Sequence, residues 1–544
     1  MAVTTLVRRQ LPPARDAGDD AKALLASSRS NEIFLAVVGP VGSGSSKIAE
    51  ILAKAANESG YQPIQIKLSS CIVSAARERG LPVPVENSPR APKTLESVIG
   101  MQDLGDEIRK SDSASLARLA LSQIAEERAR LMGVPYIEGQ IVEPDEKRRA
   151  FIIDSLRHPA EVQLLRRAYA NSFALIGVVC EEGTRRQRLL EKHFLKERWG
   201  SEEAGKEVDS FIARDADDGS VKHGQHVTDV FHQSDFFVDN TAEADTPRQQ
   251  KIVDDVGRLL DIITHEKIVR PTIAETAMHH AHSARVRSAC LSRQVGAALV
   301  QSDGTVIATG TNEAPKAGGG VYGESHGEDV DHRCAFHSEG RFCRSTRQQN
   351  TIIDELIAAI PELGLVQPRN DLVARIKRTR LGQLVEFSRA VHAEMDALVS
   401  AARAGVSTTG TKLFVTTFPC HYCARHVVSA GVYEVQYIEP YPKSLALKLH
   451  SDAIATVPND WQPPFPQDIA ASRESGGAIS DGKVLFHPFV GVAPRLYIKA
   501  FEQTRQLKDK ATGDIEIQSP EWGDEFSSFK VGYPELEAKL SIRT

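Results

Sequence analysis

Short apolar segments separated by helical segments dominate the first half of the chain. The apolar segment 33–38 is followed by the glycine-rich loop GPVGSGSS at 39–46 and by a helical segment at 47–57. Strand, glycine loop and helix in this order open a parallel α/β domain, which we expect over residues 31–265. The other apolar segments that predict buried strands are 151–153, 173–180 and 236–238.

The second half of the chain begins after Pro271 with an alanine-rich helical segment. Asp303 and Gly304, between two β-prone segments, predict a hairpin. Helices and strands alternate again after a long segment at 313–385, which interrupts this order like an insertion. The pattern divides the chain into a polar N-terminal arm (1–30), a first α/β domain (31–265), a second domain (270–502) and a polar C-terminal tail (503–544).

The composition is that of a soluble globular protein, with 41% hydrophobic and 25% charged residues. The net charge of −6 disfavours a protein whose main role is to hold a nucleic-acid backbone. No apolar segment approaches the ~18–20 residues that cross a bilayer, so we expect no membrane association. Seven cysteines form no disulfide framework in so long a chain, and the N-terminus has no signal-peptide pattern. We therefore expect a cytoplasmic protein, in which paired cysteines usually serve metal binding or catalysis.

The clearest chemistry lies in His392 and Glu394 of VHAEM and in Cys420 and Cys423 of FPCHYC. Two cysteines three positions apart at a helix start lie on one face, and the helix N-terminus favours their thiolate form. Two thiolates and one imidazole hold zinc and leave its fourth position for water, as in a catalytic site. An unligated glutamate beside such a site can carry the proton during hydrolysis.

This H-x-E…P-C-x-x-C arrangement is the pattern of zinc-dependent nucleobase deaminases. The alternative interpretation is a structural zinc knuckle, or a buried cysteine pair with a core histidine. A knuckle usually brings four protein ligands and has no use for a glutamate two residues after the histidine. The combined motif therefore favours the deaminase.

Residues 273–500 resemble the deoxycytidylate deaminase branch of the cytidine deaminase superfamily. The resemblance is carried by the segments SRQVGAALV, ATGTNEAP, HAEMDAL and TTFPCHYCARHVVSAGV. It implies an αβα sandwich, although the insertion at 313–385 is longer than the core family needs. The site residues that the resemblance implies are the zinc ligands His392, Cys420 and Cys423, the proton shuttle Glu394, and Asn312 as a contact to the sugar.

The loop at 39–46 nearly matches the pattern G-x-x-x-x-G-K-[ST], in which backbone N–H groups hold phosphate oxygens. Ser45 stands where the lysine is expected, and Lys47 comes two positions late, so we do not expect phosphoryl transfer. Three interpretations remain: a nucleotide-binding regulatory site, an architectural loop, and an active kinase. The candidate nucleotide-binding residues are Gly39, Gly42, Gly44, Ser45, Ser46 and Asp154, with the lid-like Arg185 and Arg186.

A second group of candidate metal ligands lies in the insertion. Cys334, His337 and Cys343 are close in sequence, and Cys290 ends the helix before the hairpin. In the resembled family, some members carry a second, structural zinc with one ligand from this pre-hairpin position. These four residues would form a closed Cys₃His site, and the alternative is a solvated loop with incidental cysteines and histidines.

The predicted domains together resemble the two-domain bacterial dCTP/dCMP deaminases of antiphage defence, in which a P-loop kinase-like domain precedes the deaminase. The resemblance implies hydrolysis of dCTP, dCMP or both to uracil nucleotides, depletion of the nucleotide pool during infection, and a hexameric homo-oligomer. The resemblance is also compatible with control of the deaminase by a regulatory RNA or protein.

Two alternative functions remain. One is a deaminase that edits cytosine in tRNA or single-stranded DNA, and the other is a housekeeping dCMP deaminase with a regulatory nucleotide-binding domain. An editing enzyme needs a basic channel lined with aromatic side chains. Aromatic residues make up 6% of this acidic chain, which favours a free nucleotide as the substrate.

Overall fold

The described residues of the chain, in a computed structural model, form two compact units. The first unit comprises the described residues of 28–234, 238–269 and 499–540, and the second those of 235–237 and 270–498. Residues 1–27 of the predicted arm lie outside the described part. The described residues are 28–84, 94–216, 224–241, 247–265, 267–324, 330–336, 341–384, 387–441, 444–457, 461–464, 482–504, 507–515, 526–530 and 532–540.

Strands and helices alternate through both units. The strands are β1 (Glu32–Val38), β2 (Gln62–Lys67), β3 (Arg149–Asp154), β4 (Phe173–Val179), β5 (Phe236–Asp239), β6 (Gly296–Val300), β7 (Val306–Thr311), β8 (Thr411–Thr417), β9 (Val432–Glu439), β10 (Ile454–Ala455), β11 (Val484–Pro488) and β12 (Gly491–Val492).

The helices before the hairpin are α1 (Ser45–Glu58), α2 (Leu68–Glu78), α3 (Leu95–Arg109), α4 (Ser115–Met132), α5 (Pro159–Tyr169), α6 (Glu182–His193), α7 (Glu202–Ala216), α8 (Val227–Phe231), α9 (Pro247–Thr264) and α10 (Ile273–Val286). Those after it are α11 (Arg344–Ala359), α12 (Pro361–Gly364), α13 (Arg369–Lys377), α14 (Ala393–Arg403), α15 (His421–Ser429), α16 (Ala446–Leu449), α17 (Pro494–Phe501) and α18 (Tyr533–Leu540). No helix among the described residues is long and apolar enough to cross a membrane.

The sheet of the first unit contains the strand order β2-β3-β1-β4. Strand β1 is buried at every position and pairs in parallel with β3 and β4. Burial of both faces is typical of a central strand in a parallel sheet. Val37 at the end of β1 lies opposite Asp154 at the end of β3. The glycine loop and Asp154 therefore meet at the carboxyl edge of the sheet, and the predicted parallel α/β fold is confirmed.

The predicted polar tail contributes helix α18 to the first unit. Its Glu537 is 1% exposed and accepts from Arg128 Nη1 at 2.7 Å. Arg128 is fully buried and also donates to Glu32 of β1, at 2.9 Å from Nε, while the Tyr533 hydroxyl donates to Glu32 at 2.9 Å. The helix is thus fixed by a buried network of charges that a polar sequence pattern does not reveal.

The sheet of the second unit has the order β10-β11-β9-β8-β6-β7. β6 and β7 form the predicted hairpin, turned at Gly304 with φ +93°, and β8 pairs in parallel with β9. Helix α14 crosses β7 so closely that a Cβ at Gly310 would lie 2.1 Å from the Ala393 carbonyl oxygen. The close crossing places the N-terminus of α14, where the HAEM motif begins, at the end of β7.

Candidate active site

The structure brings His392, Cys420 and Cys423 together at the N-termini of two helices. His392 is the N-cap of α14, Cys420 is the N-cap of α15, and Cys423 lies in the first turn of α15. His392 Nδ1 is 3.3 Å from each sulfur atom. Both cysteines are buried, whereas the histidine is half-buried. The ligand atoms all lie within 4.8 Å of one another, as a metal centre requires.

Hydrogen bonds among these three side chains shift their pKa values in opposite directions. The hydrogen bond from Cys423 lowers the pKa of Cys420 to about 4, and the hydrogen bond to Cys420 raises the pKa of His392 to about 9. The hydrogen bond to Cys420 also raises the pKa of Cys423. Negative charge thus lies on the Cys420 sulfur, and a bound zinc would release the protons of Cys423 and His392, because metal ligands are deprotonated. Two sulfur donors and one imidazole are the set that zinc prefers, and three protein ligands leave one position open.

Glu394 lies beside the three residues without joining their cluster. It is 4% exposed in the first turn of α14, and burial raises its pKa to about 6, with a further contribution from Cys420. A carboxyl group with a pKa near neutrality can both take up and release a proton at physiological pH. The geometry therefore gives this residue the properties of an acid–base group.

Asn312 is held in place by hydrogen bonds to the backbone. Its side chain is 7% exposed, accepts from the Val295 backbone N–H at 2.6 Å and donates to the Arg293 carbonyl at 2.6 Å. The amide thus ties the end of β7 to the residues that lead into β6. Its contact with a sugar stays a prediction.

Glu439 is a buried residue that the sequence analysis missed. It ends β9 and is 5% exposed, and its carboxylate lies 3.1 Å from Arg285 and 3.4 Å from Arg293. It also accepts from the Thr417 hydroxyl at 3.1 Å, three residues before Cys420. The two arginines balance its charge, and the group fixes the segment that carries the first thiol. An acidic residue directly after an apolar strand was the available signal.

The second predicted metal site is not assembled by the described residues. Cys290, Cys334 and Cys343 are half-buried free thiols, and the sulfur of Cys343 lies 3.5 Å from the Ser292 hydroxyl. In the part of the chain that the structure describes, His392, Cys420 and Cys423 are the only cluster of three potential metal ligands. His337 lies outside the described residues, so the four-ligand site stays a prediction.

The residues predicted for the phosphate loop meet at the carboxyl edge of the first sheet. Gly44 is the N-cap of α1 with φ +85°, and Gly42 also has a positive φ of +80°. The Ser46 hydroxyl donates to Asp154 at 2.7 Å, while the Ser45 hydroxyl is 3.3 Å from that of Ser43. The loop thus brings the predicted Ser46 and Asp154 into contact, and its binding of a nucleotide stays a prediction.

Comparisons with known proteins match the second unit. The family model described as the cytidine and deoxycytidylate deaminase zinc-binding region matches residues 271–439. The deoxycytidylate deaminase of Enterobacteria phage T2 is 30% identical over 172 residues, which cover 31% of this chain and 82% of that protein.

Two solved structures are also similar. The dCMP deaminase of cyanophage S-TIM5 is 23% identical with a TM-score of 0.20, over 33% of this chain and 94% of that one. Shikimate kinase from Acinetobacter baumannii is 11% identical with a TM-score of 0.22, over 45% of this chain and 99% of that one.

The sheet, the His-Cys-Cys cluster and the matched region define a deaminase of the zinc-binding cytidine and deoxycytidylate type. Within this class, the 30% identity with the phage T2 enzyme over 82% of that enzyme points to the deoxycytidylate deaminases. The chain belongs to the deoxycytidylate deaminase family.

Proposed function

We propose that the chain is a zinc-dependent hydrolase that converts dCMP, dCTP or both into the corresponding uracil nucleotides and ammonia. The observation that carries this proposal is the convergence of His392, Cys420 and Cys423 with the buried Glu394 at two helix N-termini. The three ligands would hold zinc, which supplies a water nucleophile at neutral pH when it is bound.

Glu394 is the proton carrier in this proposal. Hydrolytic deamination moves one proton from the attacking water to the base and a further proton to the departing amino group. A carboxylate beside the metal ligands can accept the first proton and return it to the substrate. Its raised pKa makes both steps accessible near neutral pH, because neither protonation state is strongly preferred.

A free nucleotide is the favoured substrate over a nucleic acid. The relative from phage T2 is named a deoxycytidylate deaminase, and this chain carries a net charge of −6 with 6% aromatic residues. A polynucleotide-editing site would need basic and aromatic surface along a strand. We further propose that deamination depletes the cytosine deoxynucleotide pool during phage infection. The alternative is a housekeeping dCMP deaminase.

The first unit is proposed to be a regulatory phosphate-binding unit and not a kinase. The hydrogen bond from the Ser46 hydroxyl to Asp154 supports a phosphate-binding role, but Ser45 supplies no charge to transferring phosphoryl oxygens. A nucleotide on this loop would control the deaminase, alone or with a regulatory RNA or protein. The proposal also includes a cytoplasmic location and a hexameric homo-oligomer.

A second, structural zinc on Cys290, Cys334, His337 and Cys343 is part of the same proposal. Metal analysis counts it directly, because two separate ligand sets bind about two zinc ions per chain. Cys334→Ser would reduce the content to about one and leave deamination intact. A content of about one in the unmutated protein refutes this second site.

The test of the proposed function is a panel of substrates. Purified protein is incubated with dCMP, dCTP, CMP, CTP, tRNA and a cytosine-containing DNA oligonucleotide, and uracil products are measured. We expect turnover of one or both deoxynucleotides. Product in the tRNA or oligonucleotide alone would support the editing alternative and overturn the proposal.

A further inference from the structure

A chain of buried polar side chains leads away from the glycine loop of the first unit. The Val41 N–H of the loop donates to Asp215 at 2.8 Å, and Asp215, which is fully buried, pairs with Arg157. Arg157 Nη1 lies 3.4 Å from Gln225 Oε1, which also accepts from Gln102 Nε2 at 3.2 Å. The loop is therefore connected to a pair of glutamines inside the unit.

The contacts fix the orientation of the amide of Gln102. Arg157 can only donate, so Gln225 presents its oxygen to it, and the same oxygen receives the NH₂ group of Gln102. The carbonyl oxygen Oε1 of Gln102 is left buried without a hydrogen-bond partner, in a residue that is 8% exposed. Buried acceptors without a donor are uncommon, because losing a hydrogen bond inside a protein is costly.

A second unpartnered acceptor lies directly against the loop. Asn240, 1% exposed, donates from Nδ2 to the Ser43 carbonyl at 2.7 Å, which leaves its Oδ1 buried without a partner. A Cβ at Gly44, the N-cap of α1, would lie 2.3 Å from the Asn240 amide nitrogen. The amide thus sits at the N-terminus of α1, where the first backbone N–H groups have no acceptor within the helix.

The donors at the loop and the unpartnered acceptor oxygens suit different parts of one ligand. The N-terminus of α1 and the buried, unpartnered Nε of Arg185 are donors that suit phosphate oxygens. The oxygens of Asn240 and Gln102 need N–H or O–H groups, which an ionised phosphate lacks. A nucleoside phosphate combines anionic oxygens, sugar hydroxyls and a base with N–H groups, and glutamine amides pair with base edges.

We propose that the first unit binds a nucleoside 5′-phosphate whose base donates a hydrogen bond to Gln102 Oε1, while its phosphates lie on the loop at 39–46. This inference rests on the nucleotide-binding role proposed for the loop, and it adds the residue that contacts the base. It is independent of deamination, because the residues involved all belong to the first unit.

The test is isothermal titration of the full-length protein with ATP, GTP, dATP, dGTP and dTTP, with inorganic triphosphate as the phosphate-only probe. None of these nucleotides contains cytosine, so the outcome does not depend on the deaminase reaction. We expect at least one nucleotide to bind more tightly than triphosphate.

Gln102→Met should then weaken the binding of that nucleotide about tenfold, which is the effect of one lost hydrogen bond, and leave triphosphate binding unchanged.

Folding of the variant is checked by its melting temperature. Gln102→Met removes the unpartnered acceptor and also the hydrogen bond from Gln102 to Gln225, but it keeps the side-chain volume, so we expect the melting temperature to fall only slightly. Gln187→Met, on an exposed position of α6, is the matched control and should change neither the nucleotide affinity nor the melting temperature.

Two outcomes overturn the proposal. In the first, no nucleotide binds more tightly than triphosphate. In the second, Gln102→Met binds the selected nucleotide as the unmutated protein does, and the amide is then only structural. If nucleotide binding fails while cytosine deoxynucleotides are still deaminated, the proposed deaminase activity stands, and both this inference and the proposed regulatory nucleotide are wrong.

Discussion

Both units place their candidate sites at helix N-termini, but the ligand groups differ. In the second unit, His392 and Cys420 cap helices α14 and α15 and offer side-chain donors that gather around one point. In the first unit, Gly44 caps α1 and has no side chain, so the cap position offers backbone N–H groups beside the hydroxyls of Ser45 and Ser46.

This difference determines how selective each site is for its ligand. Thiolates and an imidazole select a soft cation and leave a position for a reacting water. Backbone N–H groups select an anion and cannot distinguish one phosphate compound from another. The first site must therefore take its specificity from side chains elsewhere, and Asn240 and Gln102 are buried residues with oxygens available for that purpose.

The largest expected effect comes from removing a proposed metal ligand in the second unit. Cys423→Ser should lower the zinc content by about one ion per chain and reduce deamination to background, because two remaining ligands hold zinc poorly. Metal analysis and product assays on the same sample measure both. Cys71→Ser removes a buried thiol of the first unit and serves as the control. Full zinc content in Cys423→Ser would contradict the assigned ligand set.

Gly44→Val tests the loop of the first unit. The residue has φ +85°, and a Cβ there would lie 2.3 Å from Asn240 Nδ2, so we expect a destabilisation of about 1–3 kcal/mol. Gly80→Val shares a positive φ of +66° but has open space around its Cβ, so the difference between the variants isolates the contact. Thermal unfolding measures it.

In Gly44→Val the first unit should also lose control of deaminase output in cells, while zinc binding in the second unit survives. Equal destabilisation by Gly44→Val and Gly80→Val, with normal output, would show that the loop has no such role.

The sheet of the second unit carries a pH-dependent contribution to stability. Burial opposes ionisation of Glu434, but hydrogen bonds from His487, Lys412 and Gln436 outweigh it and lower its pKa to about 2. A lowered pKa stabilises the fold above the unfolded value near 4.5, and the contribution disappears as the pH falls towards 2.

Glu434→Gln should therefore reduce the free energy of unfolding at pH 7 by about 1–3 kcal/mol and have a smaller effect at pH 3. Urea unfolding at both pH values measures this, with the exposed Glu355→Gln as a control. A reduction of the same size at both pH values would contradict the assigned pKa.

The smallest expected signal is phosphoryl transfer by the first unit. We expect none from ATP to any deoxynucleoside or deoxynucleotide, because Ser45 leaves the loop without its lysine. The full chain is the appropriate sample, since residues 31–265 alone would leave Arg128 without Glu537. Turnover that Asp154→Ala abolishes would show that another residue replaces the lysine.

The sequence alone was sufficient for local features of the fold and site. The hairpin at Gly304, the parallel strand β1 and the grouping of His392 with the two cysteines follow from short motifs, because each is set by neighbouring residues. Helix α18 and Glu439 were missed because their burial depends on partners far away in the chain. Glu537 is charged, and only its pairing with Arg128 makes a buried position acceptable.

Glu394 provides the most direct test of the account, because it is adjacent to the metal ligands without being one of them. Glu394→Gln should keep the zinc content and melting temperature of the unmutated protein and lose about 10²–10⁴-fold in the rate of deoxycytidine nucleotide deamination. The measurement is zinc content and uracil product on the same samples. Unchanged activity in Glu394→Gln, or loss of zinc together with activity, would contradict the role of this residue as the proton carrier.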